Sequence, residues 1–259
     1  MWPGSFTSAA CFSFDFDAEE VWIGENPDNA SKPGVLSQGT YGAKVAVPEL
    51  LKLLARHDVR ATFFVPGRVA ERHPGRVEEI VAAGHELAHH GYTHTSPTLL
   101  TPEEEEAELM KGLDVLKTFG APITGYRSPS WEHTPATLGL LEKYELTYSS
   151  NLMDDLRPYR HDNSTIVELP VQWILDDAPH FWFDGANWTK KISTTSEVRA
   201  IWEEEFVGIH KMSGLTMLTM HPQIIGRPSR LALLDSFIGF VKSHDDVWIA
   251  TAAEIAKTL

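Results

Sequence analysis

The chain has 259 residues, 42% of them apolar and 22% charged, with 16 prolines spread along its length, so it has room for a sizeable core, and neither disorder nor a fibrous fold is expected. Its net charge of −14 argues against nucleic acid, anionic membranes and polyanionic substrates as partners, because each of these requires a basic surface; neutral or cationic ligands fit better. The single cysteine, Cys11, has no partner for an intramolecular disulfide and reads as a small buried hydrophobe in a reducing compartment. The start of the chain has no basic segment followed by an apolar stretch, and no later run is long enough to cross a bilayer, so a cytoplasmic placement away from membranes is expected.

In chain order, Ala9 to Phe14 is an apolar run of strand length that ends in Asp15-Phe16-Asp17. The segment from there to about Gly39, with Asn26-Pro27-Asp28-Asn29 and Lys32-Pro33-Gly34, reads as a long loop by its turn chemistry. Val45 to Arg56 carries leucines at helical spacing, and Ala61 to Val65 is a strand. Arg76 to Ala83 is a helix closed by Gly84, and Glu86 to His89 is the next strand. Thr101 caps a helix with Pro102 at its first position, and its acidic run Glu103 to Glu106 reads as a solvated helix start.

A strand at Ile123 to Tyr126 leads into Arg127-Ser128-Pro129, followed by a helix at Thr134 to Tyr144 and strands at Leu146 to Ser149 and Ile166 to Val171. Between Gln172 and Trp188 the chain turns aromatic, with Trp173, Phe181, Trp182, Phe183 and Trp188, which reads as a hydrophobic lid or subunit contact and makes a homo-oligomer plausible. Ser196 to Met212 is a helix, Leu215 to Met220 a strand ending at His221, Ser229 to Ser243 a helix, and Val247 to Ile249 the last strand.

Strands and helices alternate, so a parallel sheet is expected, and seven or eight strands favour a single-domain, distorted (β/α) barrel over residues 1–259. No glycine-rich dinucleotide turn follows the first strand, which removes the main argument for a Rossmann fold. Barrel chemistry gathers at the carboxyl ends of the strands, and Asp15, Asp17, His90, His94, Arg127 and His221 all fall there. His90-Gly91-Tyr92-Thr93-His94 spaces two imidazoles so that either a helical turn or a tight loop turns both toward one ion. It lacks the glutamate of the His-Glu-x-x-His zinc-protease signature, so a third ligand and a base must come from elsewhere. A carboxylate with two imidazoles leaves coordination positions open, as a catalytic zinc or another divalent transition metal requires. Such a metal suits hydrolysis of an acyl bond, with a second carboxylate as base, a histidine across the site as proton donor, and an arginine holding the base ionised.

This set resembles the polysaccharide deacetylase superfamily, the family-four carbohydrate esterases. Phe14-Asp15-Phe16-Asp17 is similar to the first family motif, Thr-Phe-Asp-Asp, with one residue inserted between the acids, as in the peptidoglycan-deacetylase-like and cyclic-imide-hydrolase-like branch. His90 to His94 resembles the second motif with Gly91 in place of a hydroxyl residue. Arg127-Ser128-Pro129 matches the third, with Trp131 nearby, and Leu218 to Pro222 the strand that ends in a histidine. Gly226-Arg227-Pro228 again resembles that branch. The resemblance implies Asp15 as base, Asp17, His90 and His94 as metal ligands, Arg127 as orienter of the base and His221 as general acid. The residues that tune His221 stay open among Asp154, Asp155, Trp173, Asp176 and Asp177; Asp154 and Asp155 also read as a surface ion-pair cluster with Arg157, and Trp173 as core.

The resemblance implies metal-dependent cleavage of a non-peptide C–N bond, either N-deacetylation of an acetylated amino sugar or opening of a small amide or cyclic imide. A compact substrate or a soluble sugar precursor is expected in preference to a polymer. Two other classes compete. A two-histidine, one-carboxylate triad also holds iron(II) in oxygenases, which have a different motif order and a jelly-roll strand pattern. A catalytically inactive carbohydrate-binding module should have lost a member of the set, and none is missing.

Overall fold

The strand β1, Ser8–Asp15, lies at the centre of the molecule, buried along its whole length. Ala10, Phe12 and Phe14, continued by Phe16, enter a large apolar cluster beneath the helices, whereas Ala9 and Cys11 join a second cluster on the opposite face. Because side chains alternate along an extended chain, Ser13, Asp15 and Asp17 share the face of Cys11. The phenylalanine between the two acids therefore keeps both carboxylates on the inner side of the sheet. The computed structural model describes residues 2–183 and 191–259. Trp188, part of the aromatic segment, lies outside the described residues.

After β1 the chain runs through helices α1 (Glu20–Glu25), α2 (Pro33–Tyr41) and α3 (Val47–His57), with a 3-10 turn at Pro27–Ser31 and a π-helical turn at Gly42–Ala46. The long loop expected here is thus mostly helical. Pro27 and Pro33 stand in the first turns of helices, where a missing N–H costs nothing, and Asn26 caps its turn by accepting from Asp28 N at 2.9 Å. Strand β2 (Thr62–Val65) follows, then α4 (Gly67–Arg72), α5 (Pro74–Ala82) and β3 (Glu86–His89). Helix α6 (Pro102–Lys117) begins at Thr101, which accepts from Glu104 N in a reciprocal capping box.

The acidic run at that helix start is only partly solvated. Glu105 is buried and accepts the hydroxyls of Thr134 and Thr137 at 2.5 Å each. Next come β4 (Gly125–Tyr126), α7 (Thr137–Lys143), β5 (Tyr148–Ser149), β6 (Tyr159–Arg160), β7 (Val167–Glu168) and α8 (Ala178–Phe181). The chain closes with α9 (Thr195–Lys211), β8 (Leu215–Met220), α10 (Pro222–Ile225), α11 (Pro228–Lys242), β9 (Val247–Ile249) and α12 (Ala252–Ala256).

Nine described strands form one sheet in the order β6-β7-β5-β4-β3-β2-β1-β8, and β9 pairs with the start of β1 while β2 pairs with its end. Every pairing is parallel except β6 with β7. The sheet curls into a half-barrel with helices packed outside it. This is the α/β architecture expected from the alternation, with one antiparallel edge pair, β6–β7, beyond it. The register brings the strand ends to one rim: Asp15 is opposite Phe64, Val65 opposite His89, His89 opposite Tyr126, Tyr126 opposite Ser149, and Phe14 opposite Met220.

One buried histidine on this scaffold makes an acid-stability prediction. His85 Nδ1 accepts the Ala61 N–H at 3.1 Å, and burial, assisted by Arg60, pushes its pKa down to about 4. The unfolded chain therefore takes up this proton first, and stability falls as pH drops from about 6.5 towards 4, by on the order of 3 kcal/mol from this group. Chemical denaturation at pH 7 and pH 4.5 is expected to show a smaller stability difference for His85→Gln than for the unaltered chain, and equal differences would rule this contribution out.

Candidate metal and catalytic site

Asp17 is completely buried, and both of its carboxylate oxygens lack a hydrogen-bond partner among the described residues. Its Oδ1 lies 3.4 Å from His90 Nε2 and 3.6 Å from His94 Nε2. The ligating atoms of these three residues fall within 4.8 Å of one another. His90 follows β3, and its Nδ1 is 2.7 Å from the carbonyl oxygen of Arg127, which fixes the ring with its Nε2 facing Asp17.

The histidine pair sits on a tight loop rather than a helix, with Gly91 at φ +75° and His94 at φ +55°. Helix α6 holds this loop: Glu108 Oε2 accepts from the backbone N–H of Tyr92 at 3.2 Å, that of Thr93 at 2.8 Å and the Thr93 hydroxyl at 2.9 Å. On the far side α1 presses against it at Gly24, where a Cβ would come within 2.5 Å of the His94 carbonyl oxygen. Only glycine allows that approach.

Arg127, at the end of β4, is fully buried. Its Nη1 donates to Asp15 Oδ1 at 2.7 Å and to Ser13 Oγ at 3.0 Å, Nη2 to Ser150 Oγ at 2.9 Å, and Nε to the Ser150 carbonyl at 3.2 Å. The guanidinium also lies over the Phe64 ring, 4.1 Å from its centre. A charge-assisted bond between buried partners leaves Asp15 Oδ1 committed and Oδ2 facing the cluster, 3.9 Å from His90 Nε2. His221, just past β8, points its Nε2 at Asp17 Oδ2, 3.8 Å away. Its Nδ1 is 2.6 Å from Asp177 Oδ1, and its backbone N–H donates to Asp177 Oδ2 at 3.0 Å. All six residues singled out in the sequence therefore meet in one cluster.

The electrostatics differ around the cluster. Burial would raise the Asp17 pKa, but His94, His90 and His221 outweigh it and hold the carboxyl at about 2. Burial holds His94 down at about 4, so its ring is neutral with a lone pair available. Burial also works against a charge on His90, yet Asp15 and Asp17 draw a proton to it. A proton and a cation compete for that nitrogen, so cation binding here must release a proton at mildly acid pH. Burial likewise opposes the charge of His221, but Asp176, Asp177 and Asp17 raise its pKa well above the ordinary value. Burial in turn pushes both Asp176 and Asp177 upward.

A buried carboxylate without hydrogen-bond donors among the described residues, with Oδ1 facing two imidazole nitrogens at 3.4–3.6 Å and Oδ2 facing a third at 3.8 Å, is matched by a cation. The donor set, two imidazoles and one carboxylate, suits a divalent transition metal. The structure also selects among the five residues left open around His221. Asp177 grips its ring, and Asp176 lies 3.8 Å from the same nitrogen. Asp155 caps Leu156 N and Arg157 N, Asp154 accepts the Tyr159 hydroxyl, and Arg157 donates to the carbonyls of Met212 and Ser213, so among the described residues no ion-pair cluster forms there. Trp173 is half exposed and stacks on Trp131 at 4.3 Å, so it does not fill the core. The anchoring by Glu108 had no local signal in the sequence, because the bond spans 15 and 16 residues.

A curled, largely parallel α/β sheet with a buried carboxylate–imidazole cluster on its carboxyl rim is the architecture of an enzyme site, and comparison with known proteins gives the family. Residues 38–149 match the sequence model described as polysaccharide deacetylase. A peptidoglycan deacetylase of Helicobacter pylori is 30% identical, over 95% of this chain and 94% of its own. A solved protein from Mycobacterium smegmatis, described as a candidate polysaccharide deacetylase, is 39% identical with a TM-score of 0.96, covering 100% of this chain and 92% of the other. The solved Puue allantoinase, at 23% identity and a TM-score of 0.86 over 99% of this chain and 91% of its own, shares the fold. The chain belongs to the polysaccharide deacetylase family.

Proposed function

We propose that this chain is a metal-dependent hydrolase of non-peptide C–N bonds, acting on an N-acetylated amino sugar or on a small amide or cyclic imide. The observation that carries the reading is the partnerless, fully buried Asp17 carboxylate facing His90 and His94. Relatives named as deacetylases support the reaction class. Asp17, His90 and His94 would hold the ion, for which zinc is the first choice by donor type. When bound, such an ion supplies Lewis-acid polarisation of an acyl oxygen and acidifies water.

The protein's own groups divide the proton work. Asp15 Oδ2 takes a proton from the attacking water, while Arg127 holds the other oxygen of the same carboxylate and fixes its orientation. His221 Nε2 delivers a proton to the departing nitrogen, and Asp177 at Nδ1 sets the ring's orientation and sustains its charge. A carboxylate that must be ionised and an imidazole that must be protonated give a bell-shaped pH–rate profile.

A compact substrate or a soluble sugar precursor is our preferred reading. The helical segment α1–α2 and the aromatic segment meet beside the rim, with Trp22 stacked on Trp182 at 4.9 Å, which narrows the approach on that side. Assays of the purified, metal-loaded protein on cyclic imides and on N-acetylated sugar oligomers decide the matter. Turnover of the imides or of short sugars is the expected result; turnover of the oligomers alone overturns the compact-substrate reading, and turnover of none overturns the hydrolase reading.

Among the described residues no helix is long and apolar enough to cross a membrane. We keep the cytoplasmic placement as the reading of the sequence, and the buried free thiol of Cys11 is compatible with it. The homo-oligomer is supported by Met153, Trp173, Ile174 and Met212, exposed apolar residues that share one groove.

A further inference from the structure

Beside the rim, a cavity of about 360 Å³ is lined by Trp22, Trp182, Gln223, Arg227 and Arg230 among others. Three observations set it apart. Gln223 is 4% exposed, and neither its amide nitrogen nor its amide oxygen has a hydrogen-bond partner among the described residues. A buried amide left in that state is costly unless something else satisfies it. Second, Arg227 and Arg230 make no ion pair with any described carboxylate, although the chain as a whole carries a charge of −14. Their guanidiniums lie instead over aromatic rings, Arg227 over Tyr41 at 3.7 Å and Arg230 over Phe181 at 4.6 Å, and Arg230 Nη1 donates to the Ile224 carbonyl at 3.1 Å. Third, no aspartate or glutamate is among the described residues lining the cavity.

The cavity borders the candidate site through two short elements. Gln223 and Ile224 lie in α10, whose first turn hydrogen-bonds back to the His221 carbonyl. Helix α1 carries Trp22 on the cavity wall and Gly24 against the backbone of His94. Gln223 is thus two residues from His221, and Trp22 two residues from the glycine packed on His94, which puts the cavity wall beside the cluster. Two guanidiniums with no carboxylate in contact, of which Arg230 also feels the charge of buried Asp177, and an unsatisfied amide donor together suit a compact oxyanion.

We propose that this cavity is an anion-recognition subsite of the active site, so that the substrate carries a carboxylate or phosphate group beside its scissile C–N bond. Arg227 and Arg230 hold the oxyanion, and the Gln223 amide donates to it. The overall negative charge of the protein would then repel acidic molecules in general, while this cavity admits those whose charge is in the right place.

The proposal rests on the hydrolase reading, and its test separates the two. Binding of succinate and of inorganic phosphate to the metal-loaded protein is measured by calorimetry, for the unaltered chain, Arg227→Gln and Gln223→Leu. The expected result is saturable binding that weakens at least tenfold in Arg227→Gln and measurably in Gln223→Leu while the metal content stays unchanged, and the tighter of the two anions identifies the oxyanion. In parallel, N-acyl substrates with and without a carboxylate are compared. A rise in KM at least tenfold in Arg227→Gln for the acidic substrate, with kcat within a factor of a few and the neutral substrate unaffected, supports the subsite. Anion binding that is absent, or is undiminished in Arg227→Gln, overturns it even if the enzyme is active. Anion binding that behaves as expected without any turnover leaves the subsite standing and removes the hydrolase reading instead.

Discussion

Asp17→Asn is expected to abolish both metal binding and turnover, whereas Asp15→Asn keeps the metal and loses only turnover. The two substitutions are chemically identical and lie two positions apart on one face of the chain, so their difference depends on where each carboxylate points. Asp17 faces the Nε2 atoms of His90 and His94, with that of His221 farther off at 3.8 Å, and accepts no hydrogen bond among the described residues. Its amide analogue removes the anionic charge that balances a divalent cation, and the loss of affinity should exceed the roughly 10–100-fold seen when only an outer partner of a metal ligand is removed. Asp15 spends one oxygen on Arg127 and offers the other to the cluster. An asparagine there can still accept from Arg127 but cannot take a proton, and general-base catalysis is worth about 10²–10⁴ in rate. Metal content by elemental analysis, read together with kcat on the best substrate, checks both. If Asp15→Asn emptied the site while Asp17→Asn did not, the two roles would be exchanged.

Asp177→Asn should lower kcat by about 10²–10³ and move the alkaline limb of the pH–rate profile to lower pH. The sign follows from charge. Burial works against protonated His221, and Asp176, Asp177 and Asp17 outweigh it, so removing one anion lowers the pH at which the ring loses its proton. Above that pH the donor to the leaving nitrogen is gone. An asparagine can also accept from only one of the ring Nδ1–H and the His221 backbone N–H, which the two carboxylate oxygens now serve, so ring orientation suffers together with charge. A profile measured from pH 5 to 10 checks the shift. An unmoved alkaline limb with a uniformly lower rate would mean that Asp177 serves only the packing around α8.

How far the sequence carried depended on whether a signal was local. The apolar runs of β1 and β8 were legible because both strands are long and flanked by polar residues, and the Asp15-Phe16-Asp17 alternation states its own geometry. The rim could be predicted because the elements alternate and parallel sheets collect their carboxyl ends on one side. Strands β4, β5 and β7 are two residues each and were reached only through the longer runs 123–126, 146–149 and 166–171, whereas the equally short β6, half exposed and without an apolar run, went unread and its antiparallel pairing with it. The segment after Asp17 misled because proline and asparagine mark helix starts as well as turns. Asp177 stood among five open residues because its pairing with His221 spans 44 positions. The unpartnered Gln223 gave no sign, since an unsatisfied buried amide is visible only once its surroundings are placed, and Arg227 was read only as part of Gly226-Arg227-Pro228, with nothing to point to the cavity.

X-ray absorption at the metal edge of the zinc-loaded protein tests the central claim most directly. One ion per chain, with two imidazole nitrogens, carboxylate oxygen in its first shell and the imidazole signal lost in His90→Ala/His94→Ala, is the predicted result. A shell without imidazole, or an ion that remains bound in that double variant, would contradict it.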